Sequence, residues 1–169
     1  RGVPDEINVN LWPAIVDALE QAVLEHGHKP AFTSIGHTLT YADIDRLAGN
    51  FASYLQHHTN LKPGDRFAIQ LPNTLQYPVA VLGALRAGLI LVNTNPLYTE
   101  REMLHQFDDS GAKALLFIDM FGHKVAKIAA QTGIQYFFST SLADLLPAPK
   151  RWLINTGAKY IKKMIPAYS

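Results

Sequence analysis

Four short apolar runs with almost no polar alternation constrain this chain most. They are Phe67–Leu71, Leu89–Val92, Ala114–Ile118 and Ile134–Phe138. A strand with one wet face alternates polar and apolar residues, whereas a strand covered on both faces reads as a continuous apolar run. Stretches of helical period separate the runs, and two-residue turns cannot join parallel neighbours, which need a crossover. The expected fold class is therefore α/β, a largely parallel sheet with helices on both faces.

The helical stretches carry their own punctuation. Leu11 to His26 shows an apolar face and ends at Gly27. A hairpin is expected from Ala31–Ile35 and Thr38–Leu39 around Gly36-His37. Thr40 is an N-cap with Asp43 at the capping-box position, leading an apolar stripe through Ile44, Leu47, Ala48, Phe51, Tyr54 and Leu55. Lys62-Pro63-Gly64-Asp65 is a turn. Leu75 to Ala87 is apolar almost all round and reads as a buried helix. Thr99 with Glu102 opens a helix to Asp108, and His123 to Gln131 forms another. Pro147-Ala148-Pro149 breaks the chain before one amphipathic helix, Lys150 to Ile165. The expected division is an α/β subdomain over residues 1–146 and a basic helical tail over 147–169.

Composition narrows the function classes. With 48% hydrophobic and 17% charged residues among 169, the chain buries a core rather than staying disordered. A net charge of +1 argues against nucleic acid as a partner. The charge is uneven: five basic residues and no acid follow from Lys150 onward. The absence of cysteine excludes disulfides and thiolate chemistry and suits a cytosolic setting. No run is long enough for a membrane-spanning helix. The first residues, Arg1-Gly2-Val3-Pro4, lack Met and a signal-peptide pattern, so the chain is expected to be a piece of a longer protein.

Candidate sites are few. Asn73, Asn93 and Asn95 follow the carboxyl ends of expected parallel strands, where open α/β sheets place their ligands, and are candidates for a cleft wall. The histidine pairs His26/His28 and His57/His58 bring no third ligand at metal spacing. Asp43/Asp45 and Asp108/Asp109 lie one or two apart, so their carboxylates do not face each other on a helix. In the tail, Arg151, Trp152, Lys159, Lys162 and Lys163 are candidates for contact with an anionic membrane surface. The structural alternative is a helix docked on protein.

Several stretches together resemble the N-terminal part of the adenylate-forming superfamily of acyl- and aryl-CoA synthetases, in particular bacterial long-chain fatty-acid–CoA ligases. They are Lys29-Pro30-Ala31-Phe32, Leu39-Thr40-Tyr41-Ala42-Asp43, Leu61-Lys62-Pro63-Gly64-Asp65-Arg66 and Leu71-Pro72-Asn73. Ala84 to Gly88, Asn93 to Tyr98 and Ile161 to Tyr168 complete the series. The resemblance implies an incomplete N-terminal subdomain of an adenylate-forming enzyme. For the full-length enzyme it implies ATP, magnesium and CoA, and a fatty acid activated through an acyl-adenylate. The family's Ser/Thr/Gly-rich phosphate loop with its Lys has no counterpart here. No catalytic, cofactor-binding or metal-binding residue is therefore carried over, and the chain alone is expected to be inactive and to bind none of these groups. Its implied partners are the remainder of its own polypeptide, a peripheral membrane contact at the inner face, and a second copy in a homodimer. The rival readings are another acyl- or aryl-acid–CoA ligase and a non-catalytic docking or dimerisation module.

Overall fold

The computed structural model describes residue 8, residues 11–161 and residues 165–166. The elements run α1 (Ile15–His26), β1 (Pro30–Ser34), β2 (His37–Thr40), α2 (Tyr41–His58), β3 (Arg66–Gln70) and α3 (Gln76–Arg86). Then come β4 (Ile90–Asn93), α4 (Glu100–Ser110), β5 (Ala112–Ile118), α5 (Gly122–Ile128), β6 (Tyr136–Thr140) and α6 (Ala148–Thr156). A π-helical turn, Gly157–Ile161, continues α6. The four-stranded sheet has the order β4-β3-β5-β6 and is parallel throughout, beside a separate antiparallel β1-β2 hairpin.

Alternate residues of the central strands feed two cores. Phe67, Ile69, Leu116 and Ile118 pack with Leu55 of α2 and Ala80 and Ala84 of α3. Ala68, Leu115 and Phe117 pack with Met103 and Phe107 of α4 and Val125 and Ile128 of α5. The sheet is thus covered on both faces, as the unbroken apolar runs require. The α3–β4 corner shows how tightly local chemistry sets this layering. Gly88, at φ +78°, ends α3, with Gly88 N–H donating to Leu85 O at 2.9 Å and Leu89 N–H to Ala84 O at 3.0 Å. That is the Schellman pattern, and Leu89 and Ala84 lie in the same core. The Pro63-Gly64 turn docks on it, Gly64 N–H donating to Gly88 O at 2.8 Å.

Both expected capping boxes form: Thr40 with Asp43 and Thr99 with Glu102 exchange reciprocal bonds. Arg86 ties three helices. Its Nε donates to Glu20 of α1 at 3.1 Å, its Nη1 to the Asp45 carbonyl of α2 at 3.0 Å, and its Nη2 to the Asp45 carboxylate.

Five expectations need correction. The first helix begins at Ile15 rather than Leu11, because Asp17 accepts the Ala14 N–H at 2.8 Å and so starts the helix there; none of its residues is buried. The hairpin turns on Ile35-Gly36, both at positive φ, with His37 already paired to Ser34. The Leu89–Val92 run is an edge strand shifted to Ile90–Asn93, with Ile90 49% exposed, since only β3 flanks it. The fourth strand is Tyr136–Thr140 and alternates in burial, as an edge strand does. In the tail, α6 passes into π-helical geometry at Gly157.

Candidate functional site

The strand order creates a switch point. From β3 the chain moves to β4 on one side, and from β5 it moves to β6 on the other. Open α/β sheets bind ligands in the crevice outside the carboxyl ends at such a point. The groups there are Gln70 at the end of β3 with Asn73-Thr74 beyond it, Asn93 at the end of β4 with Thr94-Asn95 beyond it, Asp119 beyond β5, and Thr140-Ser141 at the end of β6.

This edge concentrates unpaired polarity. Gln70 Oε1, Thr74 Oγ1, Thr94 Oγ1, Gln106 Oε1, Asp119 Oδ1 and His123 Nδ1 are buried without a hydrogen-bond partner among the described residues. Apart from His26 Nδ1 at the end of α1, these make up the buried, unpartnered side-chain polar atoms of the described residues. Native chains leave few such atoms, and each asks for a partner supplied from elsewhere.

The three asparagines expected as a cleft wall sit at this edge, already engaged with the chain. Asn93 Oδ1 accepts from Tyr77 OH at 2.9 Å, and its carbonyl accepts from Gln106 Nε2 at 3.1 Å. Asn95 Oδ1 accepts from Leu97 N–H at 2.9 Å, a turn-closing bond, and its carbonyl accepts from Gln70 Nε2 at 3.2 Å. The Asn73 carbonyl accepts from Ser34 Oγ at 3.5 Å. These bonds order the loops.

Sequence reading missed Asp119. It is 8% exposed, and its Oδ2 accepts from Ser141 Oγ at 2.5 Å. Burial pushes its carboxyl above the usual range and Asp144 adds to this, against the Ser141 hydroxyl, the Met120 N–H and the Lys159 charge. Asp144 is engaged three times, accepting from Thr140 Oγ1 at 2.8 Å, Ser141 N–H at 2.7 Å and Asn155 Nδ2 at 2.9 Å. A cleft of about 780 Å³ opens over Asp119, Thr140 and Ser141, with Lys159 on its wall. The available signal was positional: Asp119 directly follows a strand.

The tail candidates separate. Lys159 faces this cleft and stands 5.5 Å from the Tyr160 ring centroid. Arg151 is exposed and Trp152 is 69% exposed. Lys162 and Lys163 lie outside the described residues. The helix is anchored by Ile154 against the α2–α3 cluster, by Asn155 Oδ1 accepting from Ala143 N–H at 3.1 Å, and by Lys150 Nζ donating to Ile35 O.

A family model described as AMP-binding enzyme matches residues 19–160. A long-chain-fatty-acid–CoA ligase of Escherichia coli O157:H7 is 44% identical over 166 residues, 98% of this chain and 30% of that protein. Its counterpart in Salmonella typhimurium strain LT2 is 42% identical over the same shares. The chain thus spans about 30% of the length of these curated relatives. Among solved structures, a benzoate CoA ligase from Burkholderia xenovorans LB400 matches with a TM-score of 0.68 at 26% identity, covering 74% of this chain and 25% of that one. A long-chain-fatty-acid-CoA ligase from Archaeoglobus fulgidus matches with a TM-score of 0.66 at 21% identity, covering 75% of this chain and 27% of that one, which speaks for the fold.

Proposed function

Since the chain belongs to the AMP-binding enzyme family, we propose that it forms the N-terminal part of a long-chain fatty-acid–CoA ligase. Such an enzyme joins the acid to ATP, releasing pyrophosphate, and then passes the acyl group to the CoA thiol, releasing AMP. The observation carrying this reading is 44% identity over 98% of the chain to a protein named for that activity.

The loops at the carboxyl edge do not fit the nucleotide or its magnesium. Residues 71–75, 93–99, 119–122 and 141–147 contain one glycine, Gly122, and no lysine. A phosphate grip needs backbone N–H groups exposed by glycines and a cation. No residue of this chain is therefore assigned to ATP, magnesium or CoA. In this proposal its carboxyl edge forms one wall of the enzyme's cleft. Asn73, Asn93 and Asn95 hold that wall's loops, and the unpartnered Gln70, Thr74 and Thr94 atoms meet the rest of the protein. The test is release of pyrophosphate dependent on ATP, CoA and palmitate. The 169-residue chain alone is expected to be silent, and robust turnover by it refutes the division of labour.

Contact with a membrane surface is a second reading, favoured by the exposure of Trp152, Leu153 and Tyr160 beside the exposed Arg151 and Lys159. Each basic group near an anionic surface contributes about 1 kcal/mol. Replacing Arg151, Lys159, Lys162 and Lys163 by Glu is expected to abolish co-sedimentation with anionic liposomes, and undiminished binding removes the tail from consideration.

A further inference from the structure

The first helix packs on α2 and α3 without burying a residue of its own. It is tied to them by the Glu20–Arg86 ion pair at 3.1 Å and by Leu19, half-buried against the cluster of Leu39, Ile44 and Leu82. A cavity of about 180 Å³ lies between these elements. Leu19 and Val23 line it from α1, Phe32 from β1, Ile44 from α2, and Val81 and Leu82 from α3. Tyr41 and Tyr77 add two rings, and the Tyr77 hydroxyl is engaged elsewhere, donating to Asn93 Oδ1 at 2.9 Å. No charged side chain lines the cavity, and none of its lining residues belongs to the four-stranded sheet or to the loops at its carboxyl edge.

We propose that this cavity is a binding site for a small neutral arene, a single ring with at most a short apolar substituent, and that its occupant clamps α1 to the body of the chain. Size sets the first limit. An apolar cavity of about 150 Å³ takes up benzene, whereas sites for larger molecules run to roughly 300–1,000 Å³. The cavity therefore suits one ring and is too small for a long hydrocarbon chain. Its lining sets the second limit. Water needs two to four polar partners to be held in a cavity, and these side chains do not supply them. A charged ligand would lose its hydration with no counter-charge in return. The rings of Phe32, Tyr41 and Tyr77 favour an aromatic occupant, which gains offset or edge-to-face contacts beyond its buried area. The third point is mechanical. An occupant touches α1 and the α2–α3 pair together, so it adds apolar contact where α1 buries none of its residues. The site requires neither ATP nor CoA, and its failure would leave the ligase reading untouched.

Isothermal titration of the 169-residue chain with toluene, benzoate and 1-octanol tests the proposal. Toluene is expected to bind saturably at one site, and benzoate and 1-octanol each at least roughly tenfold more weakly. Val23→Phe, which fills the cavity from a half-buried position on α1, is expected to weaken toluene binding at least roughly tenfold. Far-UV circular dichroism and the urea midpoint check that the variant is folded, and Val81→Phe, which fills the cavity from α3, replaces it if it is not. Toluene at about ten times its dissociation constant is expected to slow hydrogen exchange of the α1 amides roughly tenfold. Absence of saturable toluene binding overturns the site, and undiminished binding by the folded variant overturns its location. Equal affinity for benzoate overturns the requirement for a neutral ligand, and equal affinity for 1-octanol overturns the single-ring assignment. Unchanged exchange in α1 overturns the clamp.

Discussion

Replacing Gly88 by Ala tests the corner that joins α3 to the sheet, and Gly111 supplies an internal control. Both are left-handed helix-terminating glycines, at φ +78° and +61°. A side chain in that conformation costs about 1–2 kcal/mol, offset by about 0.4–1 kcal/mol from the stiffer unfolded chain. The surroundings differ. A Cβ on Gly88 would stand 3.0 Å from Pro63 Cβ and 3.3 Å from its Cα and Cγ, whereas one on Gly111 would meet nothing within 4 Å. The Pro63 turn is held to this corner by Gly64 N–H on Gly88 O and by Ile90 N–H on Asp65 O at 2.9 Å, so it cannot retreat without breaking a bond. Overpacking of that kind adds about 1–3 kcal/mol. Gly88→Ala is therefore expected to destabilise the chain by about 2–4 kcal/mol and Gly111→Ala by about 1 kcal/mol. Urea unfolding followed by circular dichroism measures both, with unchanged m-values required for a stability reading. Equal losses at the two positions refute the crowding argument. No loss at Gly88 refutes the corner geometry itself.

Other outcomes follow from the same structure. Arg86→Lys is expected to lower stability by about 1–2 kcal/mol in urea unfolding, because a single ammonium cannot bond the Asp45 carbonyl, the Asp45 carboxylate and Glu20 together. Thr40→Ala removes a cap whose oxygen accepts from Asp43 N–H, and loses about 1 kcal/mol by the same measurement. The raised pKa of Asp119 gives a signed pH effect. Below the ordinary aspartate value both states hold the proton, and as pH rises through the raised folded value the wild type loses stability. Asp119→Asn is thus expected to exceed the wild-type urea midpoint near neutral pH and to match it at about pH 3. Asp65 runs the other way. Lys113 Nζ at 2.7 Å and the Lys62 N–H hold its carboxyl below the usual range, so its contribution disappears as pH falls through that lowered value, and Asp65→Asn flattens the acid limb.

The parts of the fold legible in sequence were those set by neighbours along the chain. Thr40-Asp43 and Thr99-Glu102 cap their helices because each box closes within one turn. Gly88 announces the end of α3 for the same reason. What escaped reading depends on distant partners. Leu89–Val92 looks like a central strand, yet β4 lies at the edge because the next crossover passes over β3 to place β5. The Leu11–His26 face is periodic, but periodicity does not say what covers it, and no residue of α1 is buried. Asp119 drew no reading from sequence, and its burial arises only when Ser141, 22 residues later, closes over it. The asparagines lie at the carboxyl ends of β3 and β4, and their bonds to Tyr77, Gln106 and Leu97 appear only once helices and loops fold back.

The most direct test of the central claim is acyl-CoA formation by the longest polypeptide that carries this sequence, measured with ATP, magnesium and CoA and with palmitate and benzoate as competing acids. Preference for palmitate, with pyrophosphate released in equal amount, is the outcome predicted for a long-chain fatty-acid–CoA ligase. Preference for benzoate, or acyl-CoA formed without ATP, contradicts the account.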